Sequence, residues 1–183
     1  MTAAVLTGCG TEEPHLGGAV PATPSIAAPG LSGGTAAAGT TGPAPDPCTA
    51  SDLSVTDTRT DESAGSVTIP LRFVNTGERA CSLHGFPGVS YVTAKDGTEV
   101  GAAATHSGDI GEPVTLAPGG RATVTVRAAQ VVNYTPAQCE PTPVAGLRIY
   151  PPNDSQALYV AHAGTGCARP EVEQLQVTAV DAQ

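Results

Sequence analysis

Tryptophan is absent from this chain of 183 residues, and aromatic side chains make up only 3% of it. Lysine occurs once, as Lys95, against seven arginines. No run approaches eighteen apolar residues, so no stretch reads as a membrane-spanning helix. Basic residues are scarce: 8 stand against 17 acidic ones, for a formal charge of -9. That balance opposes a nucleic-acid partner, which needs a basic face. Charged residues total 14%, while Gly 22 and Pro 17 are abundant. Few charges and many helix breakers argue against long surface helices and coiled coils.

What is present is unevenly spread. Of the 38 residues in 10–47, thirty are Gly, Ala, Pro, Thr or Ser, and none is Lys or Arg. Leu16, Val20, Ile26 and Leu31 are scattered singly, so the segment has little to bury. It is expected to be a disordered linker, spanning roughly 35 Å as a flexible chain. Residues 48–183 carry all 8 basic and 14 of the acidic residues, and their length suits one compact domain.

Residues 1–9 end in Leu6-Thr7-Gly8-Cys9. An aliphatic residue, two small residues and a cysteine form the bacterial lipobox. The small residues admit the signal peptidase, and the thiol takes the diacylglycerol. The segment lacks a basic start and most of an apolar stretch, so it reads as a truncated signal sequence. The alternative is a chance match in a mobile tail. A lipid on Cys9 anchors the chain to a membrane without a spanning helix.

With Cys9 lipidated, Cys48, Cys81, Cys139 and Cys167 remain, and four cysteines allow three pairings. None stands in Cys-x-x-Cys spacing, which disfavours zinc and thioredoxin-like chemistry. The strand pattern favours one pairing. Residues 53–59 and 66–75 read as consecutive antiparallel strands, with Cys48 before the first and Cys81 after the second. Residues 146–150 and 157–162 flank a Pro-Pro-Asn-Asp-Ser turn, with Cys139 before them and Cys167 after. The start of one strand lies beside the end of the next, so Cys48–Cys81 and Cys139–Cys167 are expected.

The rest of the domain alternates with the period of half-buried strands. Val67, Ile69, Leu71 and Phe73 share one face; Thr68, Arg72 and Asn75 are placed off it. Pro70 inside that run suits an edge strand or a bulge. In 121–128, Ala122, Val124, Val126 and Ala128 alternate with polar residues. Leu175, Val177 and Ala179 alternate with Gln174, Gln176 and Thr178. Residues 88–94 and 98–101 flank Lys95-Asp96-Gly97, a hairpin signal because glycine accepts positive φ. No amphipathic helix stands out. Short strands between frequent turns give an all-β, antiparallel β-sandwich, with a small barrel as the competing architecture.

Certain residues recur in a recognisable order: Cys48, Leu53, Val74-Asn75-Thr76-Gly77, Cys81, Leu83 and Gly85-Phe86-Pro87. After them come the Asp96-Gly97 turn, Leu116-Ala117-Pro118-Gly119-Gly120, Cys139, the 147–151 strand and Cys167. In this order the domain resembles the four-cysteine domain of unknown function found in exported proteins and lipoproteins of actinobacteria. The resemblance covers nearly all of 48–183. It implies an immunoglobulin-like sandwich and an envelope location, and no reaction.

Catalytic signatures are missing from the sequence: it has no nucleophile elbow, Walker loop, His-Glu-x-x-His or dinucleotide fingerprint. His106-Ser107-Gly108-Asp109 has a triad's letters, but adjacent residues rarely converge on one point. His84, His106 and His162 read as surface or strand-end residues. Asp57, Asp61 and Glu62 read as a solvated acidic turn. Phe86, stiffened by Pro87, is a candidate binding loop, or else a plug in the core. Tyr91, Tyr134, Tyr150 and Tyr159 form a recognition surface or merely cap a core. The expected function is a non-enzymatic binding module, extracytoplasmic and lipid-anchored to the outer face of the cell membrane. An envelope protein, a wall component or a small ligand is its expected partner, with no cofactor, metal or nucleic acid. A structural or accessory envelope domain is the alternative, and a hydrolase built from distant residues is a remote one.

Overall fold

The computed structural model describes residues 44–183. Cys9 and most of the expected linker lie outside them. In chain order the strands are β1 (Leu53–Asp57), β2 (Asp61–Ser63), β3 (Ser66–Asn75), β4 (Cys81–Leu83), β5 (Gly88–Val92), β6 (Glu99–Val100) and β7 (Thr105–Ser107). Then follow β8 (Val114–Leu116), β9 (Arg121–Ala129), β10 (Pro141–Tyr150), β11 (Leu158–Cys167), β12 (Leu175–Thr178) and β13 (Asp181–Ala182). A single α-helical turn, Pro136–Cys139, interrupts them. The sequence pattern did not reveal it, although Thr135 and Gln138 form a capping box around Pro136.

Two sheets make the sandwich. One runs β1-β3-β9-β12-β7, with β2 beside β3 and β13 beside β9. The other runs β11-β10-β5-β6, and β4 and β8 form a separate pair. Adjacency of β1, β3 and β9 against β11, β10, β5 and β6 reproduces the immunoglobulin order, ABE against GFCC′. Next to β9, where that fold puts strand D, lies the carboxy-terminal β12. β7 is displaced beyond it and pairs with it in parallel.

The expected alternation becomes the core. Ile69, Leu71 and Phe73 of β3 are buried, as are Ala122, Val124, Val126 and Ala128 of β9. Facing them are Val89, Tyr91, Leu147 and Ile149 of the second sheet. Val67 is only half-buried. Two polar residues assigned to the outer face belong inside. Asn75 is 1% exposed, because it continues the odd-numbered buried row of β3. Its amide donates to Arg79 O and Leu116 O and accepts from Gly77 N, tying the β4–β8 pair to the sandwich. Gln174 is 2% exposed and satisfied entirely by Cys167.

Pro70 is in an inner strand rather than an edge, but its neighbour is broken there. β1 ends opposite Leu71 and β2 begins opposite Thr68. Pro70 O accepts from Thr58 N across the gap, so the missing N–H faces the break. Gly97 keeps an ordinary φ; it is needed because a Cβ there would overlap Thr93 Oγ1 and Ala94 N. The expected hairpin strands 146–150 and 157–162 extend to the whole of β10 and β11.

Both disulfides form as the strand order requires. Leu53 lies opposite Asn75, and Cys48–Cys81 closes that end with Cα atoms 4.9 Å apart. Pro141 lies opposite Cys167, and Cys139–Cys167 closes the second hairpin with Cα atoms 4.5 Å apart. Before Cys48, the backbone already runs along β4: Ser82 N donates to Asp46 O and Cys48 N to Ser82 O.

Candidate functional site

Where β3 and β9 of one sheet part from β5 and β11 of the other, a cleft of about 450 Å³ opens. Its apolar wall is Val67, Ala128 and the turn Val131–Asn133, whose Val132 is 80% exposed. This turn is held down at its neighbour: Gln130 N and the Asn133 side-chain amide both donate to Gly65 O. Gly65 has φ 78, in the left-handed region that favours glycine. Glu62 of β2 stands exposed on the rim.

Tyr91 lines the cleft although only 6% of the residue is exposed. Its hydroxyl has no hydrogen-bond partner among the described residues. No buried side-chain polar atom among them lacks a partner, so that hydroxyl is reached from the cleft. Burial pushes the phenol up to about 12, so it stays a neutral donor even in mildly alkaline solution.

The remaining wall is the segment 162–165 of β11. In the β10–β11 ladder, Gly146 lies opposite Ala161 but Val144 opposite Gly164. His162 and Ala163 therefore face the single Ala145, and such an irregularity re-aims side chains. His162 Nδ1 meets Asp57 Oδ2 at 3.3 Å. The pair joins β11 to β1, the edge strands on one side of the sandwich. His162 was expected as a surface or strand-end residue and Asp57 as part of a solvated turn; instead both are half-buried, paired between the middle of β11 and the end of β1. The two are 105 residues apart, so no local spacing could have signalled them.

Other expected site residues are placed elsewhere. Pro87 is buried, and the half-buried Phe86 stacks on His106 at 4.2 Å and 7°. It is thus neither a free anchor nor a plug in the core, but half of a ring pair on the surface. His84 is exposed. The four tyrosines do not form one surface. Tyr91 lies opposite Leu147, whereas Tyr159 lies opposite the next residue, Arg148, and so on the other face of the sheet. Tyr134 lines a second, more open depression with Gln138, Arg169, Glu171 and Glu173. Arg169 is paired there with Glu140 at 3.0 Å.

No curated protein matches the chain. A family model described as a domain of unknown function, DUF4232, matches residues 48–181. That span is most of the chain, and the protein belongs to the DUF4232 family.

Proposed function

We propose that this protein is a binding module, extracytoplasmic and tethered to the outer face of the cell membrane by a lipid on Cys9. The observation that carries the binding role is the cleft beneath Val132, with the buried Tyr91 presenting a hydroxyl that the described residues leave unpartnered. A phenol that reaches the cleft offers an occupant a hydrogen bond that a phenylalanine could not. The extracytoplasmic location draws support from the two disulfides, which persist in oxidising compartments. It also draws on Leu6-Thr7-Gly8-Cys9, as in exported actinobacterial lipoproteins. A long tether raises the local concentration of a weak binder near the membrane. Its partner is an envelope protein, a wall component or a small ligand.

A photo-crosslinking residue placed at Val132 in intact cells tests the binding role. A discrete adduct that a Glu62→Lys change weakens is expected. Absence of any adduct, or the same adducts from a crosslinker at the surface residue Thr56, defeats it.

A further inference from the structure

Building on that reading of the cleft, we propose that its occupant is an extended basic peptide segment of a partner protein. The segment hydrogen-bonds through its backbone to the outer edge of β11, with an apolar side chain seated between Val67 and Val131.

The edge itself gives the first reason. β11 has ten residues and pairs only with β10 among the described residues. It holds no Asp, Glu, Lys, Arg or Pro, the residues that usually guard an edge strand. Gln174 shows which way its backbone points. The Gln174 side-chain amide accepts from Cys167 N and donates to Cys167 O, both at 2.8 Å. Cys167 therefore turns its N–H and C=O away from β10. Its opposite residue, Pro141, has no N–H to offer. Backbone direction alternates along the regular stretch from Cys167 to Gly164, so Thr165 also turns its polar groups outward. Thr165 lines the cleft. Thr165 likewise faces a proline, Pro143, across the ladder. A primary amide already makes, at Cys167, the two bonds that a peptide unit would make at Thr165. Backbone addition to such an edge is a general mode of peptide recognition.

Charge gives the second reason. Glu62 lies on the cleft, and Glu171 and Glu173 on the depression lined by Tyr134, the residue that follows the turn Val131–Asn133. None of the three has an ion-pair partner among the described residues. Arg169 is held by Glu140, and His162 by Asp57. Residues 48–183 carry 8 basic and 14 acidic side chains, so a cationic segment is attracted and an anionic one repelled. The Tyr91 hydroxyl, a donor with no acceptor in reach among the described residues, suits a carbonyl of such a segment.

NMR titration of the full chain, with its disulfides intact, tests this. The probes are a capped Lys-Val-Lys-Val-Lys peptide, the same peptide N-methylated at alternate residues, its Glu-Val-Glu-Val-Glu counterpart, and a soluble N-acetylglucosamine oligomer. Saturable shifts centred on Ala163, Thr165 and Val132 are expected from the first peptide. About tenfold weaker binding is expected from the N-methylated one, as one hydrogen-bonded register is lost. Tyr91→Phe and Glu62→Lys each weaken the first peptide several-fold. Equal binding of the N-methylated or acidic peptide overturns the proposal. So does self-association through β11 seen by sedimentation. If instead the sugar saturates the cleft and the peptides do not, the peptide assignment fails while the cleft stands as a binding site.

Discussion

Gln174 is a case where a residue's role depends on one partner. Alternation placed it on the outer face with Gln176, yet it is buried because its amide completes the backbone of Cys167. Gln174→Leu keeps the bulk and leaves both Cys167 groups unpaired. It should lower stability by about 1–3 kcal/mol, read as a lower urea midpoint with an unchanged slope. Tyr91→Phe removes a hydroxyl that bonds to no described residue, so its midpoint should stay within about 0.5 kcal/mol of the parent. A large loss in Tyr91→Phe would show that the phenol is structural. Asp52 and Asp154 supply an acid limit. Asp52 accepts from Thr49 Oγ1 at 2.6 Å and Thr49 N at 2.9 Å, which holds its carboxyl below its ordinary 3.8. Asp154 is held low by Gln156 N and Ala50 N. A carboxyl lowered in the folded state adds stability above its unfolded pKa. Here that stability is present above pH 3.8 and is lost as pH falls through the lower folded values. Both groups face solvent, so screening keeps the effect small. Asp52→Asn should lower the urea midpoint slightly at neutral pH and leave it nearly unchanged at the acid end, so that the acid side of the profile flattens.

Among the elements, β3 and β9 were the most legible. The ten residues of β3 were expected with their observed bounds, because Val67, Ile69, Leu71 and Phe73 alternate without interruption. Pro70 misled only about the strand's position, since a broken neighbour serves a proline as well as a free edge. Short strands such as β7 and β13 carry too few residues for a period to show, and their partners β12 and β9 are distant in sequence. β12 fills the place beside β9 only as far as Leu175–Val177, and β13 resumes at Asp181. Thr178 Oγ1 takes up Thr125 N–H between them at 2.9 Å. Thr178→Val should therefore lose about 1 kcal/mol, with amide exchange at Thr125 quickened out of proportion to its neighbours. Cys139 and Cys167 are fully buried at the base of the second hairpin. Replacing both by Ala frees a loop of 28 residues in the unfolded chain. The expected loss is about 3–4 kcal/mol in thermal or urea unfolding.

At the scale of the molecule, the charge divides between the parts. Three of the acidic residues, Glu12, Glu13 and Asp46, fall in 10–47, and the other 14 lie in 48–183 with every basic residue. Excess acid on the domain is what should make a basic partner prefer it, and raising salt should weaken that partner's on-rate more than its off-rate. The proposed anchor predicts a separate behaviour. Metabolic labelling with a palmitate analogue in a lipoprotein-processing host should mark the protein, and Cys9→Ser should leave it unlabelled and outside the membrane fraction. Label retained on Cys9→Ser would place the lipid elsewhere and remove the tether's basis. Because the disulfides do not depend on Cys9, the released domain should unfold at the same urea midpoint.

The longer strands, the two-sheet class and both disulfide pairings were contained in the linear pattern. Alternation is local, and consecutive antiparallel strands put their ends together. The cleft was not. It joins Val67, Tyr91, Val132 and His162, which stand on four separate segments and share no motif. Tyr91 looked like any strand tyrosine until its packing showed a buried ring with a hydroxyl left over. Asp57 and His162 met only because the edges of two different sheets were brought side by side. Alternation fixes which face of a strand is apolar. Which faces oppose each other, and where they part to leave a cleft, depends on packing between segments far apart in the chain.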